Sequence, residues 1–118
     1  MDENKRYSID SLVVGEMQIN CYLFSCNATG HSAIIDPGGD AGKIEAAAEV
    51  KEVQIKMILL THGHFDHIGA VSEIRKKYNC PVLIHRSDQE TLTNPMVNLS
   101  ALTGANILCD PADRLLED

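Results

Sequence analysis

The sequence predicts an α/β domain built on one mixed sheet, antiparallel at its start and parallel later. Three observations carry that prediction. Three short β-forming segments follow one another near the N-terminus with only turn signals between them, which favours an antiparallel meander. Two strand–helix–strand units then run in series, over residues 32–60 and 54–85, and right-handed crossovers place their strands parallel in one sheet with helices packed on it. The segment 54–60 is apolar almost throughout, as suits an interior strand covered on both faces. At 118 residues the chain has the length of a single domain, 1–118, with one modest core.

The elements follow in order. Ile9 to Val14 reads as a strand, Gly15-Glu16 as a turn and Ile19 to Phe24 as a second strand rich in β-formers. Asn27 to Gly30 is a turn, and Ser32 to Asp36 is a third strand ending in Asp36-Pro37-Gly38-Gly39. Asp40 is placed to cap a helix running to about Lys51, with Ile44, Ala47 and Ala48 among its apolar positions. Gln54 to Leu60 is the interior strand. Ile68, Val71, Ile74 and Tyr78 have helical spacing, Arg75 to Lys77 stand near the C-terminus where cations favour the dipole, and Asn79 marks the stop. Pro81 to His85 is a further strand, and Ser87-Asp88-Gln89-Glu90 fits a capping box that starts another helix. Asn106 to Cys109 is read as a last short strand, and 110–118 as polar and irregular.

Composition narrows the function. A hydrophobic fraction of 44% and a charged fraction of 23% are ordinary for a soluble globular protein. The formal charge of −7 and pI near 5.1 oppose nucleic-acid or anionic-membrane binding as a main function, since both need clustered Lys and Arg. The aliphatic runs are too short for a membrane helix, and the first residues, Met1 to Arg6, lack the apolar core of a secretory leader. Cys21, Cys26, Cys80 and Cys109 show no C-x-x-C spacing, and three sit in apolar surroundings. Buried free thiols in a reducing, cytoplasmic setting are expected.

The chemistry gathers in one stretch, Thr61-His62-Gly63-His64-Phe65-Asp66-His67, which holds three of the chain's five histidines. In open α/β sheets, ligand sites lie beyond the carboxyl ends of the strands. Asp36 to Gly39, the histidine loop and His85 to Asp88 are three such ends, and parallel strands bring them to one edge. His62 and His64 are two apart, so in an extended loop they point to the same side and bind one metal together. Asp66 shares that parity. The turn into the following helix lets His67 approach from another direction, so Asp66 and His67 serve a second ion about 3.5–4 Å away. Imidazole with carboxylate suits zinc, iron or manganese. Gly63 and Gly69 permit the backbone geometry of a crowded ligand loop. Asp36 is as readily a turn residue as a site residue. His85 is read chiefly as packing or capping, and secondarily as a possible pocket residue. His31 is a turn or surface residue, and Asn20 and Cys21 are ordinary strand residues.

His62-Gly63-His64-Phe65-Asp66-His67 resembles the H-x-H-x-D-H signature of the metallo-β-lactamase fold hydrolases. Asn20-Cys21-Tyr22, Ile35 to Gly39 and Leu60-Thr61-His62 are similar to the glyoxalase II (hydroxyacylglutathione hydrolase) branch, and the resemblance covers about residues 8 to 118. It implies an αββα sandwich with two zinc ions at its rim, iron or manganese being alternatives. His62 and His64 would bind the first ion, Asp66 and His67 the second. A metal-bound hydroxide, oriented by Asp66, would cleave a small thioester or ester, and Asp36 would stand behind the metal loop as a supporting carboxylate. Members of the family supply further ligands from a Gly-His-Thr-type segment, a bridging Asp and a final His, and no such set follows His67 here. The expectation is therefore an N-terminal half of the fold, a truncated single domain, first of all a piece of a full-length hydrolase. The alternatives are a natural short form whose site is completed by a homodimer or a complementary half, and a degenerate form with little activity. The rival expectation is a non-catalytic or assembly-dependent half-domain. A flavin-partnered iron member of the same fold carries Glu where His64 stands, which ranks that reading last.

Overall fold

The computed structural model describes residues 6–61, 63–103, 107 and 109–117. Six strands form one sheet in sequence order: β1 (Tyr7–Val14), β2 (Ile19–Cys26), β3 (His31–Ile35), β4 (Gln54–Leu60), β5 (Val82–His85) and β6 (Arg114–Leu116). The first two pairings are antiparallel and the remaining three parallel, as the meander and the two crossovers predict. Helix α1 (Ala41–Lys51) connects β3 to β4; α2 (Phe65–Ile68) and α3 (Val71–Tyr78) connect β4 to β5.

Side-chain alternation explains the layers. Cys21, Leu23, Ile34, Ile58, Val82 and Ile84 are buried in one cluster with Ile44 and Ala48 of α1 and Val71 and Ile74 of α3. The helices therefore cover one face of the sheet. The opposite face presents Tyr7, Ile9, Val13 and Phe24, all exposed, and a shallow apolar groove of about 550 Å³ over Ala33, Ile35, Met57 and Leu59. The shortest dimension of the molecule, 22 Å, fits two layers packed about 10 Å apart. The second sheet of the implied sandwich is not among the described elements. β4 accordingly alternates between a buried and a half-covered face, and is not buried on both sides as its apolar run suggested.

Several local expectations are corrected. Asp40 does hold the N-cap position of α1, but its backbone is left-handed and its side chain makes no cap bond. The carboxylate instead accepts from the Gly15 N–H at 2.9 Å, tying α1 to the β1–β2 turn. The helix after the histidine loop begins at Phe65 and is broken at Gly69–Ala70, because the Ala70 N–H is drawn to the Pro37 carbonyl at 2.8 Å. Asn79 ends α3 in the left-handed conformation, as expected. The 3₁₀ helix at Arg86–Leu92 is capped by His85, whose Nδ1 accepts from the Ser87 N–H at 3.1 Å; Ser87 is not the cap.

Asn106 and Leu108 lie outside the described residues, while Ile107 and Cys109 are not in a strand. The last strand is β6, within the stretch read as irregular. The Arg75 guanidinium anchors it, donating to the Asp110 and Pro111 carbonyls and to the Asp113 carboxylate. The Val82 N–H and Arg75 hold the Asp113 carboxyl below the usual carboxylate range.

Cys21, Cys80 and Cys109 are buried and free, and Cys26 is half-buried and free. Burial, reinforced by the Asp36 carboxylate, pushes the Cys21 thiol up to about 12. The Thr29 hydroxyl and the backbone at Thr29 and Ala28 hold the Cys26 thiol below its ordinary value. Because the thiolate is the reactive form, iodoacetamide at pH 7.5 is expected to alkylate Cys26 at least about tenfold faster than Cys21, Cys80 or Cys109. Peptide mass mapping over time reads the order. Equal rates at Cys21 and Cys26 would contradict it.

Candidate metal centre

Asp36, Thr61, the described residues 63–67 of the histidine loop and His85 lie at one edge, the carboxyl end of β3, β4 and β5. Asp36 follows β3 with a left-handed backbone, φ 55°, and is 3% exposed. Its carboxylate is fully engaged. Oδ1 accepts from the Thr61 N–H at 2.8 Å. Oδ2 accepts from the Thr61 hydroxyl at 2.5 Å and lies 3.0 Å from His67 Nδ1.

The His67 imidazole thus has Asp36 behind it, while its Nε2 faces Asp66 Oδ2 at 3.5 Å. That spacing is informative. Two donor atoms each about 2.0–2.2 Å from a tetrahedral ion lie about 3.4 Å apart. A carboxylate on the outer ring nitrogen is also the usual support for a metal-binding histidine, because it sets the tautomer and the ring direction. The donor chemistry of Asp66 and His67 therefore fits one corner of a divalent-metal site.

His64 is exposed, holds the N-cap position of α2 with an extended backbone, and accepts from the His67 N–H at 2.9 Å through its carbonyl. Because α2 begins at Phe65, Asp66 does not continue the extended parity of His64. Among the described residues no three His, Cys, Asp or Glu side chains are grouped to hold an ion. His62 lies outside the described residues. His85 is engaged with the Ser87 hydroxyl at 2.7 Å.

Close packing fixes the loop. A Cβ on Gly63 would fall 1.6 Å from the Thr91 hydroxyl, and one on Gly69 would fall 2.3 Å from the Gly38 carbonyl oxygen. Both glycines are thus required by close approach; Gly69 has a right-handed backbone, φ −58°. The Phe65 N–H donates to the Asn98 carbonyl at 2.9 Å. Beside Asp66 is a cavity of about 380 Å³ walled by Glu16, Met17, Gly38, Phe65 and Ile107, with no Lys or Arg among the described residues of its lining. Sequence reasoning assigned no role to Thr61, Asn98 or Gly38. The only signal was for Thr61, a hydroxyl placed directly before the first histidine.

The family model of the metallo-beta-lactamase superfamily matches residues 14–116. The probable metallo-hydrolase YqgX of Bacillus subtilis is 39% identical over 105 residues, covering 88% of this chain and 49% of that protein. A hydroxyacylglutathione hydrolase of Bdellovibrio bacteriovorus is 32% identical over 92 residues, or 78% of this chain and 36% of that protein. The crystal structure of BLEG-1 B3 metallo-beta-lactamase superposes with a TM-score of 0.87 at 36% identity, covering 94% of this chain and 54% of that one. Di-iron and di-zinc forms occur among the solved structures of similar fold. The chain spans half or less of the length of these curated relatives. With the matched region taking in β2 to β6 and the whole histidine loop, the chain belongs to the metallo-beta-lactamase superfamily.

Proposed function

We propose that the chain is the metal-carrying half of a hydrolase that cleaves a small thioester or ester, in the manner of hydroxyacylglutathione hydrolase. The observation that carries this reading is the His67 imidazole, backed by Asp36 and facing Asp66 at the carboxyl edge of a parallel sheet. His62, His64, Asp66 and His67 are the proposed ligands, with zinc as the metal and iron or manganese as alternatives. When bound, the metal supplies a nucleophile at neutral pH by lowering the pKa of a coordinated water to about 7. The protein does the rest. Asp36 holds the His67 ring in place, the Asp66 carboxylate orients the attacking water, and Met17, Phe65 and Ile107 line the adjoining cavity with surface suited to an apolar acyl group. His85 is a proposed wall residue at the same edge.

A second reading rests on a specific observation, the open apolar face of the sheet. A surface of that kind marks a protein contact. On this reading the 118-residue chain is a half-domain that acquires its remaining ligands from a second copy or a complementary half. Three buried free thiols support a cytoplasmic setting, and no described helix is long and apolar enough to cross a membrane.

The test is metal binding followed by turnover. Zinc-supplemented protein is expected to retain close to one ion per chain by elemental analysis, and His67→Ala to lose it. Retention of zinc by His67→Ala at the wild-type level would sink the assignment. Hydrolysis of hydroxyacyl thioesters by the chain alone supports the first reading. Hydrolysis only after mixing with a complementary half supports the second.

A further inference from the structure

We propose that Thr61 is a positioning residue for the metal centre, acting through Asp36 on the ring of His67. The inference deepens the metal-hydrolase reading and rests on it. Its basis is a three-member relay. Thr61 contacts both carboxylate oxygens of Asp36, its N–H on Oδ1 at 2.8 Å and its hydroxyl on Oδ2 at 2.5 Å. The same Oδ2 meets His67 Nδ1 at 3.0 Å.

Two anchors on one carboxylate matter because of where Asp36 stands. Its backbone turns left-handed as it leaves the strand and keeps one bond to β4, from its N–H to the Leu59 carbonyl at 3.2 Å, so the side chain depends on its own anchors. An Asp has two side-chain torsions, and one hydrogen bond leaves the carboxylate plane free to turn. Contacts at both oxygens remove that freedom. Thr61 itself sits at the end of β4, next to a backbone held in register with β3 and β5. The rigidity of the sheet is thereby passed to a carboxylate in a loop, and from it to an imidazole in a short helix.

The hydroxyl also directs the hydrogen bonding. The Asp36 carboxylate only accepts, so it favours the Nδ1–H tautomer of His67, and the Thr61 hydroxyl keeps that carboxylate turned to receive the ring N–H. Nε2 is then the nitrogen left for the metal. The backbone N–H of Thr61 would survive any substitution other than proline, so the separable part of the relay is the hydroxyl. Thr61→Val removes it while keeping the branched outline. Thr61→Ser keeps it while removing a methyl group.

The experiment uses the full chain. Zinc affinity is measured by competition with a chromophoric chelator for wild type, Thr61→Val and Thr61→Ser. Thr61→Val is expected to bind about tenfold more weakly, at the lower end of the effect of losing an outer partner, and Thr61→Ser within about twofold of wild type. In parallel, long-range ¹H–¹⁵N spectra of the metal-free protein report the His67 ring. A single Nδ1–H tautomer is expected in wild type and Thr61→Ser, and a mixture in Thr61→Val. Equal affinities and identical ring spectra in Thr61→Val and wild type would overturn the proposal, whatever happens to the melting temperature. Failure of wild type to bind zinc at all would sink the metal reading instead, and the metal-free spectra would still decide whether Thr61 positions the ring.

Discussion

Gly38→Ala is expected to destabilise the fold by about 3 kcal/mol, the upper part of the range for forced overpacking, and to displace Asp66. The reason is backbone against backbone. A Cβ built on Gly38 lies 1.9 Å from the Asp66 carbonyl oxygen, and 2.8 Å from the Ile19 side chain. Ile19 can change rotamer; the Asp66 carbonyl cannot, because it belongs to α2 and α2 is pinned. The Ala70 N–H is bonded to the Pro37 carbonyl at 2.8 Å, and Gly69 packs on the Gly38 carbonyl. Relief therefore requires the 36–39 loop and α2 to part by more than an ångström, roughly the gap between the built contact and an ordinary one. That movement takes Asp66 and His67 away from Asp36. Gly42→Ala is the control. Its added methyl meets nothing within 4 Å and lies inside α1, so it is expected to stabilise by up to about 1 kcal/mol. Chemical denaturation of the two variants reads both signs. A Gly38→Ala protein as stable as wild type, with the Asp66 amide resonance unmoved, would refute the argument.

The clash at Gly38 also marks the boundary of what could be read from the sequence. Periodicity located β4 to the residue, since an apolar stretch from Ile55 to Leu60 broken only by Lys56 has few alternatives. It placed α1 closely, and it brought the carboxyl ends of β3, β4 and β5 to one edge, because that edge follows from strand order alone. The histidine stretch was legible as chemistry for the same reason that it is local: its donors are neighbours in the chain. Three of the misreadings are places where a distant partner overrides a local preference. Asp40 is a good capping residue, but the Gly15 N–H lies within its reach. A continuous helix from Ile68 has the right spacing, but Pro37 claims the Ala70 N–H. β6 is three residues long with a polar start, and the segment leading into it is held by Arg75, which binds the Asp110 and Pro111 carbonyls and the Asp113 carboxylate from 35 or more positions away. The Thr61–Asp36 clamp spans 25 positions, so the hydroxyl before the first histidine does not reveal its partner.

Asn98→Ala is expected to cost about 3 kcal/mol or more, and to loosen the histidine loop from a position outside it. Asn98 is fully buried. Its Nδ2 donates to the Thr91 and Ile107 carbonyls, each at 2.7 Å, and its Oδ1 accepts from the Ser100 N–H at 3.0 Å. Alanine removes all three partners at once and leaves two carbonyls and an N–H without them, at about 1–3 kcal/mol for each group that stays dry. The consequence reaches the site by two routes. The Thr91 side chain packs against Gly63, where no Cβ would fit, and the Asn98 carbonyl receives the Phe65 N–H. Both ends of the short stretch between Gly63 and Phe65 therefore lean on the segment that Asn98 organises. Asn98→Asp separates hydrogen bonding from size. It keeps the acceptor for Ser100 but turns its other carboxylate oxygen toward two carbonyls, so it is expected to be at least as damaging as alanine at neutral pH. Hydrogen exchange measures the coupling directly. The Phe65 amide is expected to lose protection in both variants by more than the Ile34 amide does in the sheet. Uniform loss across both amides would mean that Asn98 supports only global stability, and the link from this loop to the metal centre would have to be given up.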